Sequence, residues 1–305
     1  MFWKKKQAAI IGGGIMGGDI AAVFAAGGWS VHIAEPSPNS REDLPGRFHS
    51  AMEKIRSNKQ GEFFIYPAIE EIPWEKIEMA VECVPEKLEL KQKVFARMEE
   101  LSRAQIPLTS NSSGFPIGGI GKGLKTQTRM MGLHFFMPAH LAPLVEVICS
   151  AATEPELAKE VYGLMAELGK KPVLVGKDIP GFLANRIQHA LMREALSLVE
   201  KGIASPEDVD DAVRYGFGFR YIAAGPLRQK DLTGLDTQYS AGVAIYPDLC
   251  NDSSPNAYIR KKVEAGHLGI KAKKGFYDWT RPQIEEFKAK YEMKLVKALD
   301  VMRDE

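Results

Sequence analysis

His134 and Glu146 are the two side chains of this sequence best suited to moving a proton. They stand twelve positions apart in the run GLHFFMPAHLAPLVEVI, residues 132–148, with Pro138 and Pro143 between them. A helix cannot pass through both prolines, since each lacks an amide donor and clashes with the preceding turn. The spacing therefore predicts two extended segments joined by a turn, which sets His134 beside Glu146. Val145 and Val147 flank the glutamate in the alternation of a strand that is at least half buried. A buried carboxylate needs a partner. An imidazole serves: the carboxylate fixes the ring's tautomer and steadies the imidazolium that forms when the other nitrogen takes a proton. That is equipment for deprotonating an alcohol. A histidine and a glutamate taken singly read more often as a core imidazole and a solvated edge residue, so the surroundings have to decide.

The elements that must position this pair begin at residue 7. A short apolar strand, 7–11, runs into GGGIMG, residues 12–17, then into a helical pattern to Ala26 that Gly27 and Gly28 end. A second strand, 30–34, is followed by Glu35. Strand, glycine motif, helix, strand and terminal acid in this order form a dinucleotide-binding fingerprint. Gly12 permits a tight turn, Gly14 lets backbone approach a pyrophosphate, and Gly17 lets helix and strand pack closely, while the helix N-terminus offers N–H groups to phosphate. Gly12, Gly14, Ile15, Met16 and Gly17 are the expected cofactor contacts. Glu35 suits the two adenosine ribose hydroxyls and repels a 2′-phosphate, which favours NAD over NADP. Arg41 nearby speaks for the opposite choice.

Further along, the pattern predicts a helix over 44–56, strands at 63–66 and 79–84, a helix from Glu86 to about Arg103, strands at 106–109 and 129–133, a helix over 154–168 and a strand at 172–175. Ser110, Asn111, Ser112 and Ser113 follow the 106–109 strand, where an open α/β sheet presents its ligands, although such residues also make ordinary turns. From Asp178 a long amphipathic helix is expected to about Lys201, then a Ser205–Asp208 cap and helices near 227–244, 254–265 and 282–302. The fold class expected is α/β: a doubly wound Rossmann-type domain, residues 1–177, followed by an all-helical domain, residues 178–305, with the active site in the cleft between them.

Five separated runs, GGGIMG, VECVPEKLELK, NSSG, HFFMPAHLAPLVEV and PGFLANR, resemble the 3-hydroxyacyl-CoA dehydrogenase family along nearly the whole chain. The resemblance implies reversible oxidation of a 3-hydroxyl to a 3-keto group with NAD, a place in fatty acid metabolism, and a homodimer built through the helical domain. It implies that Glu86 and Lys91 lie near the nicotinamide ribose and that Asn111 contacts cofactor. It also implies that Ser113 hydrogen-bonds the reacting oxygen, and that Asn185 faces the substrate carbonyl. Three departures stand out. Gly114 replaces a serine, Met137 replaces the asparagine of HFFNP, and the segment 35–79 is short where acyl-CoA members carry a helical hairpin that helps hold CoA. Arg47, Lys54, Arg56 and Lys59 offer a small basic patch for CoA phosphates, or simply a solvated face. Arg220, in GFGFRY, offers a bidentate fork for a free carboxylate, or a structural contact.

Acyl-CoA is accordingly the first substrate expected. A free hydroxy acid is the alternative, because λ-crystallin-like members acting on L-gulonate and dehydrogenases that degrade vitamin B6 also look similar. A non-catalytic NAD-binding protein is the third reading, and the intact His134–Glu146 pair argues against it. The 305 residues carry a net charge of +1, so nothing points to nucleic acid. No transmembrane-length apolar run or export signal is visible. Cys83, Cys149 and Cys250 read as reduced, packed thiols of a cytoplasmic protein, with no metal site.

Overall fold

Eight strands make one sheet in the computed structural model, which describes residues 3, 4 and 6–303. The first half of the chain alternates strand and helix: β1 (Gln7–Ile11), α1 (Ile15–Ala26), β2 (Ser30–Ala34), α2 (Pro38–Ile55), β3 (Phe63–Tyr66), β4 (Met79–Glu82), α3 (Leu88–Leu101), β5 (Leu108–Ser110), α4 (Ile117–Ile120) and β6 (Met130–Phe135). Then come β7 (Leu144–Cys149), α5 (Pro155–Glu167) and β8 (Lys171–Val175). The spatial order is β3-β2-β1-β4-β5-β6-β7-β8. From β3 to β6 every pairing is parallel, which is the dinucleotide-binding order, with the switch point between β1 and β4. Strand β7 runs antiparallel to β6, and β8 lies parallel to β7.

Alternation along the strands divides the core into two layers. Ile10, Val31, Val81 and Leu133 face one side, where they meet Ile20 and Phe24 of α1, Phe48 of α2 and Leu164 of α5. Ala9, Ile11, Ala80 and Leu108 face the other, against Phe95 and Met98 of α3 and Ile120 of α4. Strands buried on both faces read as continuous apolar runs, as QAAII and MAVE do.

Two compact units are distinguished, one ending at Arg186 and the other beginning at Ile187. Helix α6 (Ala184–Glu200) carries the chain into the second unit. That unit is helical: α7 (Pro206–Asp211), α8 (Gly218–Arg220), α9 (Pro226–Thr233), α10 (Leu235–Ile245), α11 (Ala257–Glu264) and α12 (Arg281–Arg303). Ser205 caps α7 in a reciprocal box with Asp208. No helix among the described residues is long and apolar enough to cross a membrane.

Three boundaries differ most from the pattern in the sequence. Helix α2 starts at Pro38, not Leu44, because Ser37 caps it and Pro38 supplies a first-turn residue with its φ already set. Helix α6 starts at Ala184 rather than near Asp178, since Gly181 and Phe182 take positive φ angles of 75° and 49° and break the preceding turn. The stretch 227–244 is two helices, divided at Gly234 with φ 97°.

His32 of β2 is buried between the rings of Phe64 and Tyr66, with Nδ1 3.0 Å from the Tyr66 hydroxyl and Nε2 3.1 Å from Gln7 Oε1. Burial, helped by Lys76, lowers its pKa from the ordinary 6.5 to about 4. The unfolded chain therefore binds more protons between these two values, and stability falls as pH drops through that window. Melting temperature followed from pH 6.5 to 4 should fall more steeply for the natural chain than for His32→Gln. Parallel curves would show that His32 does not titrate in this way.

Candidate active site

The antiparallel register of β6 and β7 sets His134 directly opposite Glu146. Both are buried, at 3% and 0% exposure. His134 Nδ1 lies 2.8 Å from Glu146 Oε2. The other carboxylate oxygen, Oε1, accepts the backbone N–H groups of Leu183 at 3.0 Å and Ala184 at 2.8 Å, at the start of α6. Burial opposes ionisation of Glu146, but the His134 ring and these two amides outweigh it and hold the carboxyl below its ordinary range. An ionised carboxylate only accepts, so Nδ1 of His134 is the donor of that bond. Nε2 lies 3.2 Å from the Ser113 hydroxyl. Phe136 and Phe182 flank the imidazole, with ring centroids 4.5 and 5.6 Å away.

Asn185 Nδ2 donates to the Ser113 carbonyl at 3.0 Å. Asp178 steadies the same region: its two carboxylate oxygens accept the N–H groups of Ile117 at 2.8 Å and Gly118 at 2.7 Å. His134, Glu146, Ser113 and Asn185 are thus gathered within the first unit. Arg220 belongs to the second, on α8, exposed and without an ion pair among the described residues.

The glycine turn links β1 to α1. Gly12 has φ 105°, and a Cβ there would fall 2.7 Å from the Cys83 carbonyl oxygen. A Cβ on Gly17 would fall 1.8 Å from the Gly12 oxygen, so this helix could not approach its strand with any larger residue. A Cβ on Gly14 would meet nothing within 4 Å. That open space lies at the N-terminus of a twelve-residue helix, where phosphate is favoured. A cavity of about 940 Å³ extends from it, past Gly12, Ile15 and Met16 to Glu35, Val94 and Arg97. Its size suits a large organic ligand. Glu35, at the end of β2, accepts the N–H groups of Gly13 and Ser37, both at 2.8 Å, one on each oxygen. Each oxygen keeps a lone pair for a ribose hydroxyl. Arg41 Nη1 is engaged by the carbonyls of Glu35 and Pro36, both at 2.8 Å. These residues fit an NAD adenosine and pyrophosphate.

A second knot of charge sits at the end of β4. Lys91, 1% exposed, bonds Glu82 at 2.9 and 3.2 Å and the Val84 carbonyl at 3.2 Å, and pairs with Glu86 at 3.1 Å. Burial pushes the Glu82 carboxyl up, against Lys91 and the Ser110 hydroxyl. Burial also opposes ionisation of Glu86, but Ser112, Lys91 and the Gly114 amide hold it below the ordinary range. Asn111 accepts the Phe135 N–H at 2.8 Å, which ties the loop after β5 to the strand bearing His134. Glu82, Asp178 and Phe182 join the site without having been singled out by their sequence pattern. Glu82 ends its strand as Glu35 follows β2, and that placement was the available signal.

Glu35→Ala tests the expected ribose contact and the expected repulsion of a 2′-phosphate. Dissociation constants from titration with NAD and NADP should show clear preference for NAD in the natural chain and a smaller ratio in Glu35→Ala. Equal or tighter NADP binding by the natural chain would remove this role from Glu35.

The family profile of the 3-hydroxyacyl-CoA dehydrogenase NAD-binding domain matches residues 7–179, and that of the C-terminal domain matches residues 181–279. The chain is 30% identical to 5-formyl-3-hydroxy-2-methylpyridine 4-carboxylate 5-dehydrogenase of Mesorhizobium japonicum, over 95% of this chain and 96% of the relative. A solved structure of an enzyme of that name, described as an NAD+-dependent dismutase, superposes with TM-score 0.93 at 30% identity over 98% of both chains. The (S)-3-hydroxybutyryl-CoA dehydrogenase of Ralstonia eutropha gives TM-score 0.72 at 26% identity, over 90% of this chain and 99% of that one. With both of its domains matched, the chain belongs to the 3-hydroxyacyl-CoA dehydrogenase family and is an NAD-dependent oxidoreductase of that type.

Proposed function

We propose that this enzyme interconverts a hydroxyl and a carbonyl group with His134 as general base and acid. The observation that carries the reading is the line Glu146–His134–Ser113, closed at 2.8 and 3.2 Å around a buried imidazole. When bound, NAD supplies the nicotinamide ring that accepts the hydride. His134 Nε2 takes the hydroxyl proton, and Glu146 steadies the imidazolium. The Ser113 hydroxyl and the Asn185 carboxamide hold the substrate oxygen as charge shifts on it. Phe136 and Phe182 keep water from the ring. Gly12, Gly14, Ile15, Met16, Gly17 and Glu35 hold the cofactor's phosphates and adenosine. Glu86, backed by Lys91, and Asn111 lie toward its nicotinamide end. Exposed Leu227, Leu232 and Tyr239 give the second unit an apolar surface suited to a second copy of the chain.

Between the two substrate classes, a small free carboxylate fits better than acyl-CoA. Only one helix, α2, stands between β2 and β3, where acyl-CoA members carry a hairpin. Likeness along the whole of both chains to a pyridine carboxylate dehydrogenase supports the same choice. Arg220 of the second unit, exposed and without an ion pair among the described residues, is the guanidinium we propose as the handle for a free carboxylate.

Two tests follow from this reading. His134→Ala should bind NAD nearly as the natural chain does, while kcat falls roughly a hundredfold or more. Glu146→Gln should also lower kcat, and the double variant should lose less than the product of the two, because the residues act as a unit. Full multiplicativity would break the pair into separate devices. For the substrate, NADH absorbance should be compared for 3-hydroxybutyryl-CoA, free 3-hydroxybutyrate and 5-formyl-3-hydroxy-2-methylpyridine 4-carboxylate. Turnover is expected with a free acid, with Arg220→Ala raising KM at least about tenfold, as loss of a charged hydrogen bond does. Turnover of the CoA thioester alone would return the assignment to acyl-CoA.

A further inference from the structure

Ser113 is an exposed residue of the loop after β5, yet the reaction needs its hydroxyl held to a fraction of an ångström. Hydrogen bonds on either side of it converge on one neighbour, Glu86. Ser112 is fully buried. Its hydroxyl donates to Glu86 Oε1 at 2.5 Å and accepts the Phe115 N–H at 3.0 Å. Its own N–H donates to the Ser110 hydroxyl at 3.1 Å, and Ser110 donates onward to Glu82 Oε2 at 2.6 Å. The Gly114 N–H reaches the same Glu86 oxygen at 3.1 Å. Both chain neighbours of Ser113 are therefore tied to one carboxylate, which Lys91 pairs with at 3.1 Å while also bonding Glu82.

We propose that Ser112 is a positioning residue for this reaction, anchoring Ser113 to Glu86 and, through Lys91, to the buried Glu82, so that the Ser113 hydroxyl stays in register with His134. The inference rests on the reading of His134 and Ser113 as partners. A hydroxyl is required at position 112 because the group must donate to a carboxylate and accept an amide at once, which alanine cannot do and threonine can.

The test uses the whole chain with isotope-labelled histidine, and reads the His134 ring signals across a pH titration. The signals are assigned by their absence in His134→Gln. Ser113→Ala removes the contact directly and should shift the ring signals and their titration midpoint. Ser112→Ala should shift them in the same direction by a comparable amount, and Ser112→Thr should restore them. Thermal melting run beside the titration identifies any variant that fails to fold, and Ser112→Cys, similar in shape but a weak donor, then replaces Ser112→Ala. A shift in Ser113→Ala with His134 unmoved in the folded position-112 variant overturns the proposal while leaving the His134–Ser113 pairing intact. No shift in Ser113→Ala overturns both.

Discussion

Glu146 is a carboxylate taken out of water, and most of the site follows from the need to satisfy it. Its Oε2 faces the His134 ring and its Oε1 faces two amides at the start of α6. Those bonds draw three pieces of chain together: β6, β7 and the turn at 182–184. Removing one partner of such a buried charge typically costs about 3–5 kcal/mol, because the remaining charge stays behind without compensation. The register is under the same constraint. A slip of one residue between β6 and β7 would send Glu146 and His134 to opposite faces of the sheet and leave the carboxylate in an apolar layer.

The remaining groups come from one edge of the parallel strands. The glycine turn follows β1, Glu35 follows β2, Glu82 ends β4, Ser110 ends β5 and His134 stands near the end of β6. Parallel strands bring all their carboxyl ends to one side, so five short segments far apart in sequence deliver polar groups to one crevice. Glu146 arrives differently. It is the third residue of an antiparallel strand, and only a returning strand can place a mid-strand side chain beside a residue near the end of β6. The two prolines between them exclude a continuous helix over this stretch.

Legibility in the sequence follows the same division. The glycine turn with its flanking strands, and the His134–Glu146 pairing, could be read because each depends on local rules: a fingerprint in order, and prolines that forbid a helix. The start of α2 was missed because its first turn carries no apolar stripe and is set by the Ser37 cap and Pro38 instead. The start of α6 was missed because the periodic pattern runs back past Gly181 and Phe182, whose positive φ angles no stripe reveals. The Glu82–Lys91–Ser112 cluster was hidden for another reason. Its members lie on β4, α3 and the loop after β5, and charges at a helix start ordinarily belong to solvent. Only the fold shows that Lys91 points inward.

Arg47 extends the argument to the choice of substrate. As a sequence feature it belongs with Lys54, Arg56 and Lys59, a cationic group that a CoA phosphate would suit. In the fold its guanidinium bonds the Gly13 carbonyl at 3.1 Å and the Ser40 carbonyl at 3.3 Å. It therefore ties helix α2 to the glycine turn, and those donors are engaged in shaping the cofactor site. Helix α2 thus serves the dinucleotide end of the crevice through Arg47, through Leu44 against Gly13 and Gly18, and through Arg41 on the backbone beside Glu35. With the Arg47 Nη2 group engaged in this way, the short segment between β2 and β3 supports the free carboxylate proposed above over a CoA thioester.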